Sequence, residues 1–476
     1  NADGQVVSTS GAVQIRSGKL INQRGLIPST DTLTVSATTL DNTGALYAHG
    51  DATITTAGAL NNENLIAAQG HLRLNAATYA GTPGSLVAAG LDPDGHLGTT
   101  GDLTLSATQS LISAGQFLTG GDQRLHAARI DLGNSQLSGR SLNLTADAAD
   151  LTLSGAVVSA RQTLDLTAAQ TLRTDGAQLS ADQLHVAAHD LSNRAGQILQ
   201  RGSGDLTVQL PGSLDNRDGR IAANARNLVL SAGTLDTRDG TLQHAGDGRF
   251  ELTATTFNGT SAVLQSNSTL ELVARALTLD HATTTAHSLS LTAQTFSHQG
   301  GTLLQSGTGT ASIRADVLDN AGGQITSNGH LDLGTGALVN RAGSIQAAAG
   351  ALSLTAGTVD NTAGLIAARD ALTARTATFT NVQGTVGSVT AAGTGPKVCT
   401  PAAIRSGSTP IAQAAATAAS SASGASTWAG AASGSSRVSR VSLLPSASTQ
   451  PASRRKTVRP PAARCSTMAG ACSSSA

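Results

Sequence analysis

The chain has 476 residues, 30 Lys and Arg against 30 Asp and Glu, 53 Gly, and aromatic residues at only 2%. Three cysteines are too few to staple such a length, and no stretch reaches the ~18–20 apolar residues of a helical membrane span. A disulfide scaffold and a helical membrane protein are therefore excluded, and the formal net charge of zero selects no partner class.

Residues 1–19 form part of a unit whose complete form begins at Leu20 as LINQRGLI. From there a block L-x-N-x-x-G-x-[IL] returns about every 21 residues, the mark of a stacked array built from one small unit. Its leading apolar residues are Leu20, Leu40, Leu60, Tyr79, Leu111, Ile130, Leu151, Leu172, Leu191, Leu214, Leu235, Phe257, Leu277, Phe296, Leu318, Leu338, Val359 and Phe379. The interval from Tyr79 to Leu111 is swollen by the insertion LDPDGHLGTT, and the units from Leu111 to Leu172 are degenerate. Downstream of each block lies an alternating apolar pair, such as Leu72/Leu74, Leu142/Leu144, Leu228/Leu230 or Leu352/Leu354. A spacing of two is the strand period, so these pairs face a core while the Ser, Thr, Asp and Arg between them face solvent.

Strands this short bury nothing alone; stacked, each apolar position covers its counterpart one turn away. The expected fold is all-β: a parallel β-helix, or β-solenoid, over residues 20–395 with about 18 turns. At roughly 4.8 Å per turn it would be on the order of 85 Å long. Asn recurs at the third position of the block, as Asn22, Asn42, Asn62, Asn193, Asn216, Asn320, Asn340, Asn361 and Asn381. Amides one turn apart can bond along the axis, so these residues are expected to form a structural Asn ladder and not a ligand-binding row. Gly at the sixth position, including Gly25, Gly196, Gly219, Gly240, Gly323 and Gly364, suits a corner with positive φ.

At Pro396 the repeat stops. Residues 396–476 hold all three cysteines, the only Met and Trp, nine Lys or Arg, and no Asp or Glu, leaving the repeats with 21 basic against 30 acidic residues. This low-complexity basic tail is expected to be disordered. Its abrupt change of residue usage suggests an out-of-frame translation, with a natural basic tail or a wall-like stalk as alternatives. The cluster Arg454, Arg455, Lys456 and Arg459 has no aromatic platform beside it, so solvated charge is preferred to nucleic-acid binding. A start in mid-repeat, without a cap or a leader, is read as an internal piece of something longer.

Chemistry-bearing motifs are few, and no catalytic, cofactor or metal residue is expected. His185 and His189 have the spacing of a helical metal pair, but on a strand residues four apart stand about 13 Å from each other. Asp92-Pro93-Asp94-Gly95 resembles the start of a calcium loop but lacks its remaining carboxylates, so a reverse turn is preferred. Sequons occur at Asn143, Asn258 and Asn267, as expected by chance in a Ser/Thr-rich chain. Arg217-Asp218-Gly219 and Arg238-Asp239-Gly240 fit polar corners. A β-helix polysaccharide lyase would need clustered carboxylates and sugar-stacking rings, whereas the repeats have scattered acids and seven aromatic residues.

The units LDNRDGRIAANARNLVLSAGT from Leu214 and LVNRAGSIQAAAGALSLTAGT from Leu338 resemble filamentous haemagglutinin repeats of bacterial two-partner-secreted exoproteins, a resemblance covering about residues 20–386. It implies a right-handed β-helix shaft that is secreted or displayed on the bacterial surface. It also implies export through an outer-membrane two-partner-secretion pore. The expected role is that of an adhesin shaft engaging receptors or glycans on host or neighbouring cells. The alternative is the stalk of a contact-dependent growth-inhibition protein. Neither role calls for a cofactor, nucleic acid or an integral membrane span.

Overall fold

The computed structural model describes residues 1–389. Its strands pair in parallel to make a β-solenoid of about 19 turns, with no helix among the described residues. The tail of residues 396–476 lies outside the described residues, as does the end of the expected repeat region.

One turn contains three strand segments, seen separately in Ala52–Thr56, Ala59–Asn62 and Leu65–Ala68. In most turns the first two merge into one longer strand. Leu33–Asn42 thus pairs with Ala52–Thr56 along its first half and with Ala59–Asn62 along its second. The turn beyond the eighteen block starts comes from residues 1–12, where Ala2 and Gln5 bridge to Gln23 and Leu26 of the next turn.

Pairing follows the block. Leu40 registers with Leu60, Leu60 with Tyr79, Tyr79 with Leu111, Leu111 with Ile130 and Ile130 with Leu151, so the degenerate units share the same frame. Side chains alternate: Leu103, Leu105 and Ala107 are buried, while Thr104 and Ser106 between them are half-buried on the outer surface. Each core column is thereby continuous, and removing one Leu leaves a gap that neither neighbour can fill, a change that costs about 2–5 kcal/mol. The rings of Tyr79, Phe117, Phe250, Phe257 and Phe296 lie wholly inside. Thr284 is an exception: it occupies a core position between Leu264 and Leu303, and its hydroxyl has no hydrogen-bond partner.

The glycine expectation needs correction. The left-handed residue of the corner is the fifth of the block, not the sixth: Arg24, Ala195, Asp218, Asp239, Ala342, Ala363 and Gln383 have φ between 50° and 56°. Gly at the sixth position serves another purpose. A Cβ on Gly364 would stand 2.1 Å from the Asn340 carbonyl oxygen and 2.5 Å from Asn361 Oδ1, and Gly196, Gly219, Gly323 and Gly343 are equally confined. Space, not backbone freedom, requires glycine there.

Candidate functional site

Because the third position of the block turns inward at the corner, its side chains stack in one column along the coil. The structure places all nine sequence-read Asn residues there, in three runs. Asn1 donates to Asn22, Asn22 to Asn42 and Asn42 to Asn62, each at 2.8 Å. Thr174 donates to Asn193 at 2.9 Å, Asn193 to Asn216 at 2.7 Å and Asn216 to Thr237 at 3.1 Å. The last run begins at His298, whose Nδ1 meets Asn320 Oδ1 at 2.8 Å, and continues through Asn340, Asn361 and Asn381 at 2.7 Å per step.

Most of these amides also bond their own corner, whereas Asn42 and Asn340 reach the carbonyls of Leu65 and Leu365 on the next turn. Asn193, Asn216, Asn320 and Asn361 donate to the carbonyl oxygens of Gly196, Gly219, Gly323 and Gly364 at 3.2–3.3 Å. Gly81, Ser113, Leu132 and Leu153, and later Gly259 with Leu279, occupy the column between runs. Sequence reading missed the non-Asn members Thr174, Thr237 and His298, whose only signal is their place in the frame.

A charged seam lies outside this column. Asp at the second position accepts the backbone N–H of the fourth, as in Asp319 with Ala321 and Asp360 with Thr362, both at 3.0 Å. Arg at the fourth position pairs within its own turn, as Arg217 with Asp215 and Arg238 with Asp236, both at 2.8 Å, and across turns, as Arg194 with Asp215 at 2.6 Å and Arg217 with Asp236 at 3.7 Å. Partial burial works against the Asp215 charge, but bonds from Arg217 and Arg194 outweigh it and bring its pKa down to about 2.

The sequence-read motifs scatter over this frame. His185 pairs with Asp165 at 2.6 Å and His189 with Asp190 at 2.8 Å, each exposed and with its own carboxylate. Asp92-Pro93-Asp94-Gly95 makes a reverse turn: Gly95 N–H donates to Asp92 O, Asp92 N–H to His96 O, and Gly95 has φ 83°. The side chains of Asp92, Asp94 and His96 converge to within 4.8 Å at the tip of this hairpin. Tyr47 ties the hairpin down by donating its hydroxyl to Leu91 O at 2.9 Å. Of the sequons, Asn143 lies half-buried on an outer strand face, Asn258 caps its corner by accepting from Thr260, and Asn267 donates to Ala245 O. Asp218 and Asp239 of the Arg-Asp-Gly corners are left-handed residues.

Comparison with known proteins agrees with this geometry. The family model described as Haemagglutinin repeat matches residues 1–64, 28–90, 67–155, 137–209, 201–251, 245–308, 284–348 and 347–394. The chain belongs to the haemagglutinin repeat family. Among curated relatives, this haemagglutinin-repeat chain is 36% identical over 215 residues to Toxin CdiA of Yersinia pestis, covering 45% of the chain and 6% of that protein. It is 32% identical over 388 residues to Deoxyribonuclease CdiA of Dickeya dadantii, covering 72% and 11%. With Toxin CdiA of Escherichia coli it shares 31% over 305 residues, covering 61% and 9%. The chain thus spans about a tenth or less of the length of these relatives. No solved structure matches it.

Proposed function

We propose that this chain is a shaft segment of an exported, CdiA-like exoprotein, held outside the bacterial cell and serving as a stiff spacer. The observation that carries this reading is the unbroken run of haemagglutinin repeats over residues 1–394, whose strands from Val13 to Ser388 pair in parallel. Toxin and deoxyribonuclease are names of relatives far longer than this chain, so in this reading the effector chemistry belongs elsewhere in the whole protein and the repeats supply reach. Export would run through an outer-membrane two-partner-secretion pore. The nine Asn residues would act structurally, as a ladder that holds the corners of the turns that carry them; the burial of all but Asn381 and their mutual engagement favour that over ligand binding.

A second reading, an adhesin shaft that attaches to cells through its lateral surface, is supported by the haemagglutinin-repeat assignment itself. One experiment separates the two. Deleting residues 318–358 removes whole turns and brings Val359 into the place of Leu318. Under the spacer reading the shortened exoprotein is still exported but loses contact-dependent activity on neighbouring cells, and the purified chain does not compete for cell binding. Retained activity, together with competition by the purified chain, would favour adhesion. Export that persists after the pore gene is deleted would overturn the secretion route.

A further inference from the structure

His298 is the one imidazole in the column position, where four following turns carry Asn. It is fully buried. Asn320 uses its Nδ2 on Gly323 O and Asn340 Oδ1, so its Oδ1 is the acceptor and His298 Nδ1 carries the proton. His298 Nε2 has no hydrogen-bond partner. The preceding turn offers the column only buried Leu279, and Nε2 lies 2.8 Å from where a Cβ of Gly301 would be.

The charged groups around His298 are already committed. Asp280, one turn before, accepts from Ser297 Oγ and Gln299 N at 2.7 Å. Asp319, one turn after, accepts from Gln299 Nε2 and Ala321 N. His281 lies beside Gly300 at the exposed corner, and the Phe296 ring stands 5.5 Å from the imidazole. Neither carboxylate bonds the imidazole, so a second proton on Nε2 would put a buried cation against Leu279 and glycine backbone, an arrangement of high cost.

We propose that His298 is an acid-sensitive lock: its neutral ring anchors the amide run through Asn381, and its protonation opens the turns around residues 279–323 before the rest of the solenoid. Burial holds its pKa below the ordinary histidine range, consistent with a closed lock at neutral pH. A second buried histidine, His244, is better provided for. Its Nε2 donates to Ala225 O and Arg226 O, and its Nδ1 meets Ser266 Oγ, a hydroxyl able to accept as well as donate. The charged side chain that acts on it is Asp247; Arg226 meets it through its carbonyl alone, with its guanidinium paired to Asp205. His244 is therefore the control and His298 the lock.

The test is amide hydrogen exchange on the full chain at neutral pH and at about pH 5, corrected for intrinsic exchange rates. In the wild type, protection at residues 279–323 should fall at least about tenfold more than at residues 33–68, where the column is all Asn. His298→Asn installs the residue native to the column and should abolish that difference, whereas His244→Ala should leave it. Equal loss in both regions, or an undiminished response in His298→Asn, overturns the proposal. So does an NMR titration of the wild type in which the His298 ring gains its second proton at an ordinary pKa of about 6.5, a readout that needs no variant.

Discussion

Asn340 donates its side-chain amide to Asn361 Oδ1 at 2.7 Å across one turn, and the two amides hold corresponding corners in register. Asn340→Leu removes the acceptor of Asn320 and the donor to Asn361 while their burial persists. The expected loss is about 1–3 kcal/mol, the penalty for stranding buried polar groups. Denaturation followed by circular dichroism checks it, and a loss within error would show that the column is dispensable.

The two corner positions should respond in opposite directions. Gly364→Ala drives a methyl into Asn340 O and is expected to cost at least about 2 kcal/mol, because backbone must move. Ala363→Gly relieves a left-handed φ of 56° and should be neutral or stabilising by up to about 1 kcal/mol. Thermal melts of the two single variants decide the matter, and similar destabilisation in both would refute the assignment of separate roles.

Asp215 makes acid stability measurable. Its folded pKa of about 2 lies below an unfolded value of about 3.9. A depressed carboxylate pKa contributes stability that is complete above pH ~4 and is lost as the pH falls toward ~2. The contribution is about 1–2 kcal/mol after allowance for solvent screening at part-buried Arg217 and exposed Arg194. Asp215→Asn should flatten this part of the pH–stability curve. An unchanged curve would contradict the seam's role.

Thr284→Val replaces a core hydroxyl lacking a partner with a methyl of similar size, between Leu264 and Leu303. Removing an unsatisfied buried polar group should stabilise the chain by about 1 kcal/mol, visible as a raised denaturation midpoint. A lowered midpoint would mean that the hydroxyl has a partner in solution.

Much of this architecture was legible because periodicity is a strong signal. Leu40, Leu60, Tyr79 and Leu111 share one column although Tyr79 begins a unit with Gly81 where Asn stands elsewhere. The reason for the sixth-position glycine was not legible, since a Gly needed for φ and a Gly needed for space look alike until the neighbouring turn is placed. The seam of Arg194, Asp215, Arg217, Asp236 and Arg238 stayed hidden for a similar cause. Scattered charges acquire meaning only once register puts them side by side. His298 was overlooked because a lone histidine in a single unit carries no pattern.

Every bond between side chains in the amide column runs the same way, from a donor on one turn to an acceptor on the next toward the C-terminus. The two faces of a partly wound coil are therefore chemically unequal. A front advancing in the order of the sequence presents N–H groups and captures an incoming Asn through its oxygen; a front advancing in reverse must offer oxygens instead. Within each run the column would therefore give winding a sense of direction, and the turns that carry Leu or Gly in place of Asn break that thread into three lengths.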